Sequence, residues 1–402
     1  MNKRTIEDLP GDLEGRRVLM RVDYNVPLSD DGVGDDRRIR ATLPSLESLL
    51  ERGASLVLMA HLGRPNGERD DAYSLRSVAE RLKELVDAPV RFVDAVVGDE
   101  ARSAAESLGP GEILLLQNTR FEAGEKANDP ELSEALAALG DIYANDAFGA
   151  AHRSHASTVG AAEAMRRKGG PAVAGLLMEA ELRFLGGALE SPERPFIAIL
   201  GGAKISGKID VIEHLLPRVD RLLIGGAMAN TFFEAMGLGT GDSLVEPDRV
   251  EMAGELLERA GGKLVLPQDC VIAREAMEAA ETRTVSRDEV PDGWQILDIG
   301  PLTVAAFAGA VKHAGTVVWN GPMGMFEVAP FRGGTDGVAE AVAAATDEGA
   351  TTIIGGGDTA AAVTEAGLQD RMTHVSTGGG ASLEFLEGRT LPGVAALDDK
   401  EA

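Results

Sequence analysis

The chain has 402 residues and carries 65 acidic against 39 basic side chains, a formal net charge of −26. A single hydrophobic core rarely serves more than ~250–300 residues, so this length predicts two domains. Nucleic acids and anionic membranes both require a basic surface, so the acidity argues against either as a partner. No apolar run approaches the ~18 residues of a membrane span, and the first residues lack the apolar core of a signal peptide, which predicts a cytoplasmic protein.

The basic residues are unevenly chosen, since only nine of them are lysines and the rest are arginines. An acidic, lysine-poor surface is expected in a cytosol at molar salt, where the Debye length falls to ~3 Å and repulsion between like charges is screened. The alternative is an acidic protein of an ordinary cytosol. The one cysteine, Cys270, excludes an internal disulfide and is expected to be a buried structural thiol.

Short apolar runs that end in Gly, Asn or Asp alternate along the chain with longer segments of helical period. The runs predict strands, and in chain order they read RRVLMRVDYN, ASLVLMAHLG, EILLLQN, DIYAND, RPFIAILGG, RLLIGG, KLVLPQD, QILDIG, TVVWNG, TTIIGGGD and THVSTGG. The segments predict helices, and they read RATLPSLESLLERG, SLRSVAERLKELV, PELSEALAALG, DRVEMAGELLERAGG and DGVAEAVAAATDEG. So many alternations predict an α/β fold of two doubly wound, parallel-sheet (Rossmann-like) domains.

The segment AVAGLLMEAELRFLGGALESPERP has the composition of an interdomain helix and hinge. We therefore predict a first domain at residues 1–172, the connecting helix and hinge at 173–190, and a second domain at 191–388.

Ligands of doubly wound sheets bind outside the carboxyl ends of the strands, so the residues just after each strand indicate the site. In the first half these residues are Asp23, Asn25, His61, Arg64, Asn118, Arg120, Asp146, Arg153 and His155. Arg21 and Arg38 extend the set, although any one arginine taken alone could be an ordinary surface ion-pair residue. Guanidinium groups suit phosphates and carboxylates, so this half is predicted to hold a small anion. A metal at His152 and His155 lacks an evident third ligand.

Mostly bare backbone follows the later strands, at Gly201, Gly202, Gly225, Gly226, Gly321 and the glycines of 355–357 and 378–380. Exposed amides of this kind hold phosphate, so the second half is predicted to bind a larger phosphorylated ligand. In GGGDTAAAV, Asp358 heads a helix and is either an ordinary N-cap or a magnesium ligand.

GGAKISGKI, at 201–209, nearly matches a P-loop, but Ile209 stands where a P-loop needs the Ser or Thr that binds magnesium. We expect instead a helix that places Lys204 and Lys208 on one face, at i and i+4. Like charges so placed repel mildly, which favours a bound phosphate over a solvated face.

Ten blocks, taken in order, resemble the phosphoglycerate kinase family: RVDYNVPL, RIRATLPSL, HLGRP, NTRFEAGE, NDAFGAAHRSHAS, GGAKIS, GGAMANTF, WNGPMGMFE, GGGDTAAAV and STGGGASLEFLEG. The match runs from about residue 18 to the closing LPGVAAL. It implies reversible, magnesium-dependent phosphoryl transfer between ATP and the carboxylate of 3-phosphoglycerate, giving ADP and 1,3-bisphosphoglycerate, in glycolysis and gluconeogenesis. With the acidic surface, it suggests a kinase of a salt-adapted, haloarchaeal-type organism.

The resemblance also implies residue roles. The phosphoglycerate pocket is expected at Asp23, Asn25, Arg38, His61, Arg64, Arg120, Arg153 and His155. The nucleotide site is expected at Gly202, Lys204, Lys208, Gly225, Gly226, Asn320, Glu327, Gly357, Asp358 and Thr359. Arg38 is expected at the reacting carboxylate, and Lys204 with the amides of Gly379 and Gly380 around the transferring phosphoryl group. Asp358 would hold Mg²⁺, and Glu327 would hold the ribose.

Gly207 departs from the family pattern, which usually has an acid there, so the entry to the following helix and the setting of Lys204 are open. QNTRF also departs from the usual LEN block but keeps Arg120. As in similar proteins, residues 389–402 are expected to fold back on the first domain, and a monomer is expected. The alternatives are a P-loop-like ATPase driving another process and a sugar-phosphate-binding protein without turnover.

Overall fold

The computed structural model describes residues 2–29 and 32–400. It divides into two compact units. Unit 1 contains the residues up to Arg183 and those from Thr390 onward, and unit 2 runs from Phe184 to Arg389. Within the described ranges, no helix is long and apolar enough to cross a membrane.

Unit 1 is built on a parallel sheet. Its strands are β1 (Arg17–Arg21), β2 (Leu28–Ser29), β3 (Gly32–Val33), β4 (Ser55–Met59), β5 (Val90–Phe92), β6 (Ile113–Leu115), β7 (Ile142–Asn145) and β8 (Ala172–Ala174). Its first helices are α1 (Arg37–Glu51), α2 (Arg76–Leu85), α3 (Asp99–Glu106), α4 (Pro130–Ala137) and α5 (Ala161–Arg167). The sheet order is β5-β6-β4-β1-β7-β8, while β2 and β3 form a separate short hairpin.

Apolar residues at helical spacing fix the helices against this sheet. Leu46 and Leu49 of α1 are fully buried in one cluster with Met20 of β1 and Leu58 of β4. Burying a side chain of this size stabilises the fold by roughly 1.5–3 kcal/mol. Because β1 pairs in parallel with both β4 and β7, the chain winds outward in both directions from β1. The carboxyl end of β1 is therefore the point where this fold leaves a crevice for a ligand.

Unit 2 repeats the plan around β9. Its strands are β9 (Phe196–Leu200), β10 (Arg221–Ile224), β11 (Leu264–Val265), β12 (Asp269–Ala273), β13 (Arg283–Ser286), β14 (Gln295–Ile299), β15 (Thr316–Asn320), β16 (Thr351–Gly355) and β17 (His374–Val375). The main sheet has the order β11-β10-β9-β15-β16-β17, and its pairs are parallel. The winding reverses at β9, between β10 and β15, so the equivalent crevice lies at the end of β9.

The remaining helices are α6 (Leu176–Glu190), α7 (Ile209–Leu215), α8 (Met228–Ala235), α9 (Val250–Ala260), α10 (Pro301–Val311), α11 (Gly333–Asp347), α12 (Gly357–Glu365), α13 (Gly380–Leu386) and α14 (Pro392–Ala395). Helix α6 begins in unit 1 and ends in unit 2. Val173 and Ala174, which we predicted as the start of the connecting helix and hinge, instead belong with Ala172 to the edge strand β8, which pairs with β7.

The α/β class and the parallel sheets are confirmed, but one strand was placed in the wrong sheet. QILDIG forms β14, which pairs antiparallel with β12 in a separate sheet of order β13-β12-β14. An apolar run shows that a segment is buried, but it carries no information on the direction of its neighbour. β13 was missed altogether because its residues are mostly exposed and form no apolar run.

Asp298, at the end of β14, is a buried carboxyl group that titrates near neutrality. Its Oδ1 accepts from the Ile299 N–H at 2.9 Å and its Oδ2 from the Gly334 N–H at 2.6 Å. Burial outweighs these bonds and raises the pKa of Asp298 to about 7. A carboxyl group with a raised pKa is destabilising when ionised, so its contribution to stability is lost as the pH rises from about 4 to about 7.

We expect Asp298→Asn to flatten this part of the pH dependence. The shift corresponds to about 4 kcal/mol of unfolding free energy at most, and unfolding midpoints in urea at pH 5, 6, 7 and 8 measure it. Asp292→Asn, at an exposed position nearby, is the control. Equal slopes for wild type and Asp298→Asn would contradict the assignment.

Candidate active site

In unit 1, the predicted strand-end residues meet at the carboxyl edge of the sheet. Arg38, in the first turn of α1, donates from Nη1 to Asp23 Oδ2 at 2.9 Å and to the Asn25 carbonyl at 3.3 Å. Asn25 Oδ1 accepts from the Gly63 N–H at 2.9 Å. The segments after β1 and β4 are thereby tied to each other and to the helix that carries Arg38.

The polar atoms of this region that are buried without a hydrogen-bond partner among the described residues include Oδ1 of Asp23 and Nε of Arg120. A different nitrogen of the same guanidinium group, Nη1 of Arg120, donates to the Gly63 carbonyl. Buried polar atoms are normally paired, so an unpaired acceptor and an unpaired donor at one sheet edge fit a polar ligand.

Arg21 was noted only as a member of a strand-end group, but the structure gives it a central position. Its side chain is 1% exposed. Nη2 lies 2.8 Å from His61 Nδ1, and Nε donates to Ser157 Oγ at 3.0 Å. A guanidinium donor at Nδ1 makes that ring nitrogen an acceptor, so His61 is neutral and its proton lies on Nε2.

The charges around the two site histidines explain their titration. Burial, followed by the charges of Arg21 and Arg120, lowers the pKa of His61 well below its ordinary value. Burial and then the charges of Arg120 and Arg21 lower the pKa of His155 to about 4. The arginines also affect one another's pKa, because burial and the charge of Arg153 lower the pKa of Arg120 to about 10. In the ligand-free protein the arginines carry the positive charge of this cluster, and the histidines do not.

Glu125 is a further buried acid of this region, and the sequence had not indicated it. It is 1% exposed and accepts from Ser157 twice, at Oε2 from N–H and at Oε1 from Oγ. Thr119 Oγ1 donates to the same Oε1 at 3.2 Å, and His155 Nδ1 lies 3.9 Å away. Glu125 therefore fixes the segment that carries His155. It lies in the block NTRFEAGE, but it follows no strand end and fits no periodicity.

Arg64 and Arg153 are exposed at the surface of the same region. Nε of Arg153 donates to His152 Nε2 at 3.0 Å, so His152 is a hydrogen-bond partner of Arg153. No group of three His, Cys, Asp or Glu side chains placed to hold a metal occurs within the described residues. Asn118 and Asp146 are structural, since Asn118 caps the turn of Arg120 and Asp146 accepts from the Met178 N–H of α6.

An anion bound among these arginines should restore charge to the histidines. We expect 3-phosphoglycerate, the substrate that the family resemblance implies for this site, to raise the pKa of His155 from about 4 towards neutrality, because a nearby negative charge stabilises the imidazolium. A histidine NMR titration with and without the ligand measures this, with the exposed His313 of unit 2 as the reference signal. A His155 that titrates at its ordinary value in the free protein would contradict this prediction.

In unit 2, glycines at the ends of β9 and β10 permit a close backbone approach. Gly226 has φ +69°, and a Cβ there would lie 2.5 Å from the Gly202 nitrogen. A Cβ at Gly225 would lie 2.4 Å from the Met323 sulfur. The two strand ends meet only because these positions lack side chains.

Gly202 and Gly226 belong to the wall of a cleft of about 400 Å³. Predicted residues that line it are Gly202, Gly226, Glu327 and Asp358. Apolar side chains cover much of the rest, including Phe233, Leu244 and Met323. A mostly apolar cleft with a few convergent polar groups suits a nucleotide base and ribose.

Lys208 and Asn320 form a hydrogen-bonded pair at the same edge. Nζ of Lys208 donates to Oδ1 of Asn320, and Nδ2 of Asn320 is buried without a partner among the described residues. Burial lowers the pKa of Lys208 to about 8, although the charges of Asp358 and Glu387 act in the opposite direction. A phosphate here would meet both the ammonium group and an available amide donor.

Helix α12 begins at Gly357, with Gly356 at its N-cap at φ 88°. Asp358 is exposed in its first turn, whereas Thr359 is fully buried and its Oγ1 accepts from the Gly321 N–H at 2.7 Å. Gly379, at φ 50°, immediately precedes α13, which begins at Gly380. Among the predicted nucleotide-site residues, Asp358 is the carboxylate in the first turn of α12. Thr359 also has a structural role, because its hydroxyl group binds the Gly321 backbone.

The prediction that Lys204 and Lys208 lie on one face of a helix is wrong. Residues 204–208 form a turn, and α7 begins only at Ile209, with Lys208 as its N-cap residue. Lys204 is therefore not at i−4 of Lys208 on a helix. Lys204 is exposed, while Lys208 is half-buried and donates to Asn320.

The sequence model of the family "Phosphoglycerate kinase" matches residues 6–389. A phosphoglycerate kinase from Chloroflexus aurantiacus is 55% identical over 407 residues, with all of both chains covered. One from Rubrobacter xylanophilus is 54% identical over 401 residues, again with both chains covered. The structure of the Coxiella burnetii enzyme has a TM-score of 0.86 at 39% identity, and that of the Pyrococcus horikoshii enzyme 0.83 at 33%, each covering 98% of both chains.

The chain belongs to the phosphoglycerate kinase family. It is a phosphotransferase that uses a carboxyl group as acceptor, and the family's substrates are ATP or ADP with 3-phosphoglycerate or its bisphosphate. Membership in the phosphoglycerate kinase family removes the two alternatives, a P-loop-like ATPase of another process and a binding protein without turnover. The relatives come from non-halophilic bacteria, so the haloarchaeal-type origin is not supported.

For a phosphoglycerate kinase, the missed residues share one property. Arg21, Glu125 and Ser157 are buried and fix the candidate site residues His61 and His155, and neither the strand-end position of Arg21 nor the motif blocks that contain Glu125 and Ser157 indicate this role. A signal was available for Arg21 alone, because a charged residue inside the run RRVLMRVDYN is costly to bury unless it has partners.

Proposed function

We propose that unit 1 binds the 3-phosphoglycerate and unit 2 the nucleotide, with the residue roles that the family resemblance implies. The observation that carries the proposal is the pair of buried, unpartnered atoms Asp23 Oδ1 and Arg120 Nε beside a cluster of arginines. An acceptor and a cationic donor at one sheet edge match a substrate with a hydroxyl group at one position and anionic groups at its two ends.

Within this proposal, Arg64, Arg120 and Arg153 hold the remote phosphate. Arg120 is rigid, because its Nη1 is bonded to Gly63, whereas the other two are exposed and adjust to the ligand. Neutral His61 and His155 donate hydrogen bonds and gain positive charge as the phosphate binds. Buried arginine is suited to this task because its guanidinium group is less strongly hydrated than an ammonium group.

At the reacting end, Asp23 accepts from the substrate hydroxyl group through Oδ1, since Oδ2 is already engaged by Arg38. Asn25 donates from its amide nitrogen, because its Oδ1 accepts from Gly63. Arg38 keeps donors free for the carboxylate and the transferring phosphoryl group.

In unit 2, the base and ribose lie in the 400 Å³ cleft, with Glu327 on the ribose and the amides of Gly202, Gly225 and Gly226 against the nucleotide. Lys208 with Asn320, and the start of α12 at Gly357 and Thr359, bind the nucleotide phosphates. Lys204 and the amides of Gly379 and Gly380 surround the phosphoryl group in transfer.

Asp358 is proposed to hold Mg²⁺. Magnesium is commonly bound by one or two carboxylates together with substrate phosphates, so the exposed carboxylate of Asp358 at the cleft fits it. The ion would neutralise charge on the phosphates. The chain supplies the rest, because its lysines and backbone donors orient the phosphates and stabilise the charge that develops on transfer.

No general base is required, because a carboxylate is already ionised and nucleophilic at neutral pH. Catalysis then depends on positioning and charge stabilisation. We propose that the two units close over the α6 connection, which aligns acceptor and donor and excludes water. We also propose a cytoplasmic monomer.

A coupled assay with 3-phosphoglycerate, ATP and Mg²⁺ tests the proposal, with ATP alone as the control. We expect turnover that requires both 3-phosphoglycerate and the metal ion. ATP hydrolysis without the acceptor, or turnover unaffected by chelation of Mg²⁺, would contradict it.

The net charge of −26 supports a separate proposal about salt. Screening weakens repulsion between exposed carboxylates, so activity and melting temperature are expected to rise from dilute buffer to molar KCl. The same assay and a thermal melt at both salt concentrations measure this. Full activity and an unchanged melting temperature in dilute buffer would contradict the proposed salt adaptation.

A further inference from the structure

A carboxylate from a distant segment holds the turn that carries Lys204. Glu246 accepts from Ser206 at both oxygens, at Oε2 from the backbone N–H at 3.0 Å and at Oε1 from Oγ at 2.5 Å. Both donors of Ser206, which lies two residues after Lys204, therefore converge on one side chain.

Glu246 is itself fixed to the wall of the nucleotide cleft. Its backbone N–H donates to Oγ1 of Thr231, a buried residue of α8, at 3.2 Å. Nearby on the same helix, Asn230 Nδ2 donates to the carbonyl of Leu244 at 3.1 Å. Leu244 and Asn230 both line the cleft. The segment 244–246 thus joins the cleft wall to the Lys204 turn.

The turn has no acid of its own, since Gly207 occupies the position where the family pattern has one. A Cβ at Gly207 would meet no atom closer than the Lys204 carbonyl oxygen at 4.0 Å, so space for a side chain exists. Lys208, at the N-cap of α7, makes no side-chain capping bond. The turn itself lacks a carboxylate, and Glu246, from a distant segment of the chain, supplies one.

The charges are consistent with this arrangement. Burial acts to raise the pKa of Glu246, but the hydrogen bonds from Ser206, the backbone N–H of Ile205 and the charge of Lys204 outweigh burial and lower it. Glu246 is thus ionised at neutral pH and close enough for the charge of Lys204 to act on it.

We propose that Glu246 is a positioning residue for phosphoryl transfer, which holds the turn 204–208 in place for Lys204 and couples it to the nucleotide cleft through Leu244. The inference rests on the proposed role of Lys204 at the transferring phosphoryl group. Contact of the nucleotide with Leu244 then stabilises the turn, so binding energy from a remote part of the substrate appears in kcat rather than in KM.

The test compares Glu246→Ala and Glu246→Gln with Asp248→Asn, an exposed acid on the same segment, in the magnesium-dependent assay. We expect Glu246→Ala to lower kcat by roughly 10-fold or more, since misplacement of a reacting group by about 1 Å has large effects, while the KM for 3-phosphoglycerate stays within about twofold. Glu246→Gln keeps one acceptor oxygen for Ser206 and should lose less. Asp248→Asn should match wild type.

Adding Gly207→Asp to Glu246→Ala should restore part of kcat, because it returns an acid to the turn. A kcat for Glu246→Ala within twofold of wild type overturns the inference, as does an equal loss in Asp248→Asn. Should Glu246→Ala fail to fold, Glu246→Asp withdraws the carboxylate by one methylene group and is judged by the same kcat limit. Full activity of Lys204→Ala would instead remove the proposed role of Lys204, so the two failures are distinguishable.

Discussion

Lys204→Ala is expected to lower kcat by about 100-fold or more, the magnitude seen when one stabilising donor is removed from a transition state. Lys204 is exposed in the turn after β9, at the crevice where the winding of the second sheet reverses. No general base takes part in the proposed mechanism, so charge stabilisation carries most of the rate and its loss is not compensated. The coupled assay at saturating substrates measures the effect.

The KM for 3-phosphoglycerate should change little in this variant, because the residues proposed to bind that substrate belong to unit 1. Lys83→Ala is the matched control, since Lys83 is an exposed lysine of α2 that pairs with Glu80 at 2.8 Å. Near-normal turnover of Lys204→Ala, or a comparable loss in Lys83→Ala, would refute the role.

Arg38→Ala is the second substitution expected to lower kcat by about 100-fold or more. Arg38 is oriented by its bonds to Asp23 Oδ2 at 2.9 Å and to the Asn25 carbonyl. We propose that its remaining donors bind the reacting carboxylate, where charge changes during transfer. Removal also leaves Asp23, which is 5% exposed, without its partner, so the melting temperature should fall as well.

Arg38→Lys and Arg40→Ala separate these effects. Lysine keeps the charge but lacks the planar fork, so Arg38→Lys should recover stability more fully than kcat. Arg40, two residues further along α1, is exposed and pairs with Asp36 at 3.0 Å, so Arg40→Ala should retain wild-type kcat. If Arg38→Ala loses stability but keeps kcat, Arg38 is only a structural partner of Asp23.

The sequence predicted the alternation of strands and helices well because that signal is local. Apolar runs such as VLM in β1 and TVVW in β15 are buried on both faces of a parallel sheet, and glycines close many of the helices. The strand-end rule then placed Asp23, His61 and Arg120 in one region without any knowledge of contacts. It works because parallel strands bring their carboxyl ends to the same edge.

The sequence-based predictions failed where residues distant along the chain decide the local structure. QILDIG is as apolar as the parallel strands, yet it pairs antiparallel with β12. Residues 204–208 have a composition compatible with a helix, but Glu246 binds both donors of Ser206 and holds this segment in a turn. In both cases the deciding partner lies 20 or more residues away, outside the reach of any local pattern.

The sequence by itself determined the α/β class, the family and the residue types at the two strand edges, because periodicity and motif order are written along the chain. The tertiary structure alone decided burial and partners. It placed Arg21 against His61 and made that histidine neutral, and it buried Asp298 and raised its pKa to about 7. It also brought Glu246 to the Lys204 turn. Charge state and orientation depend on desolvation and on atoms within a few ångströms, and only folding brings those atoms together.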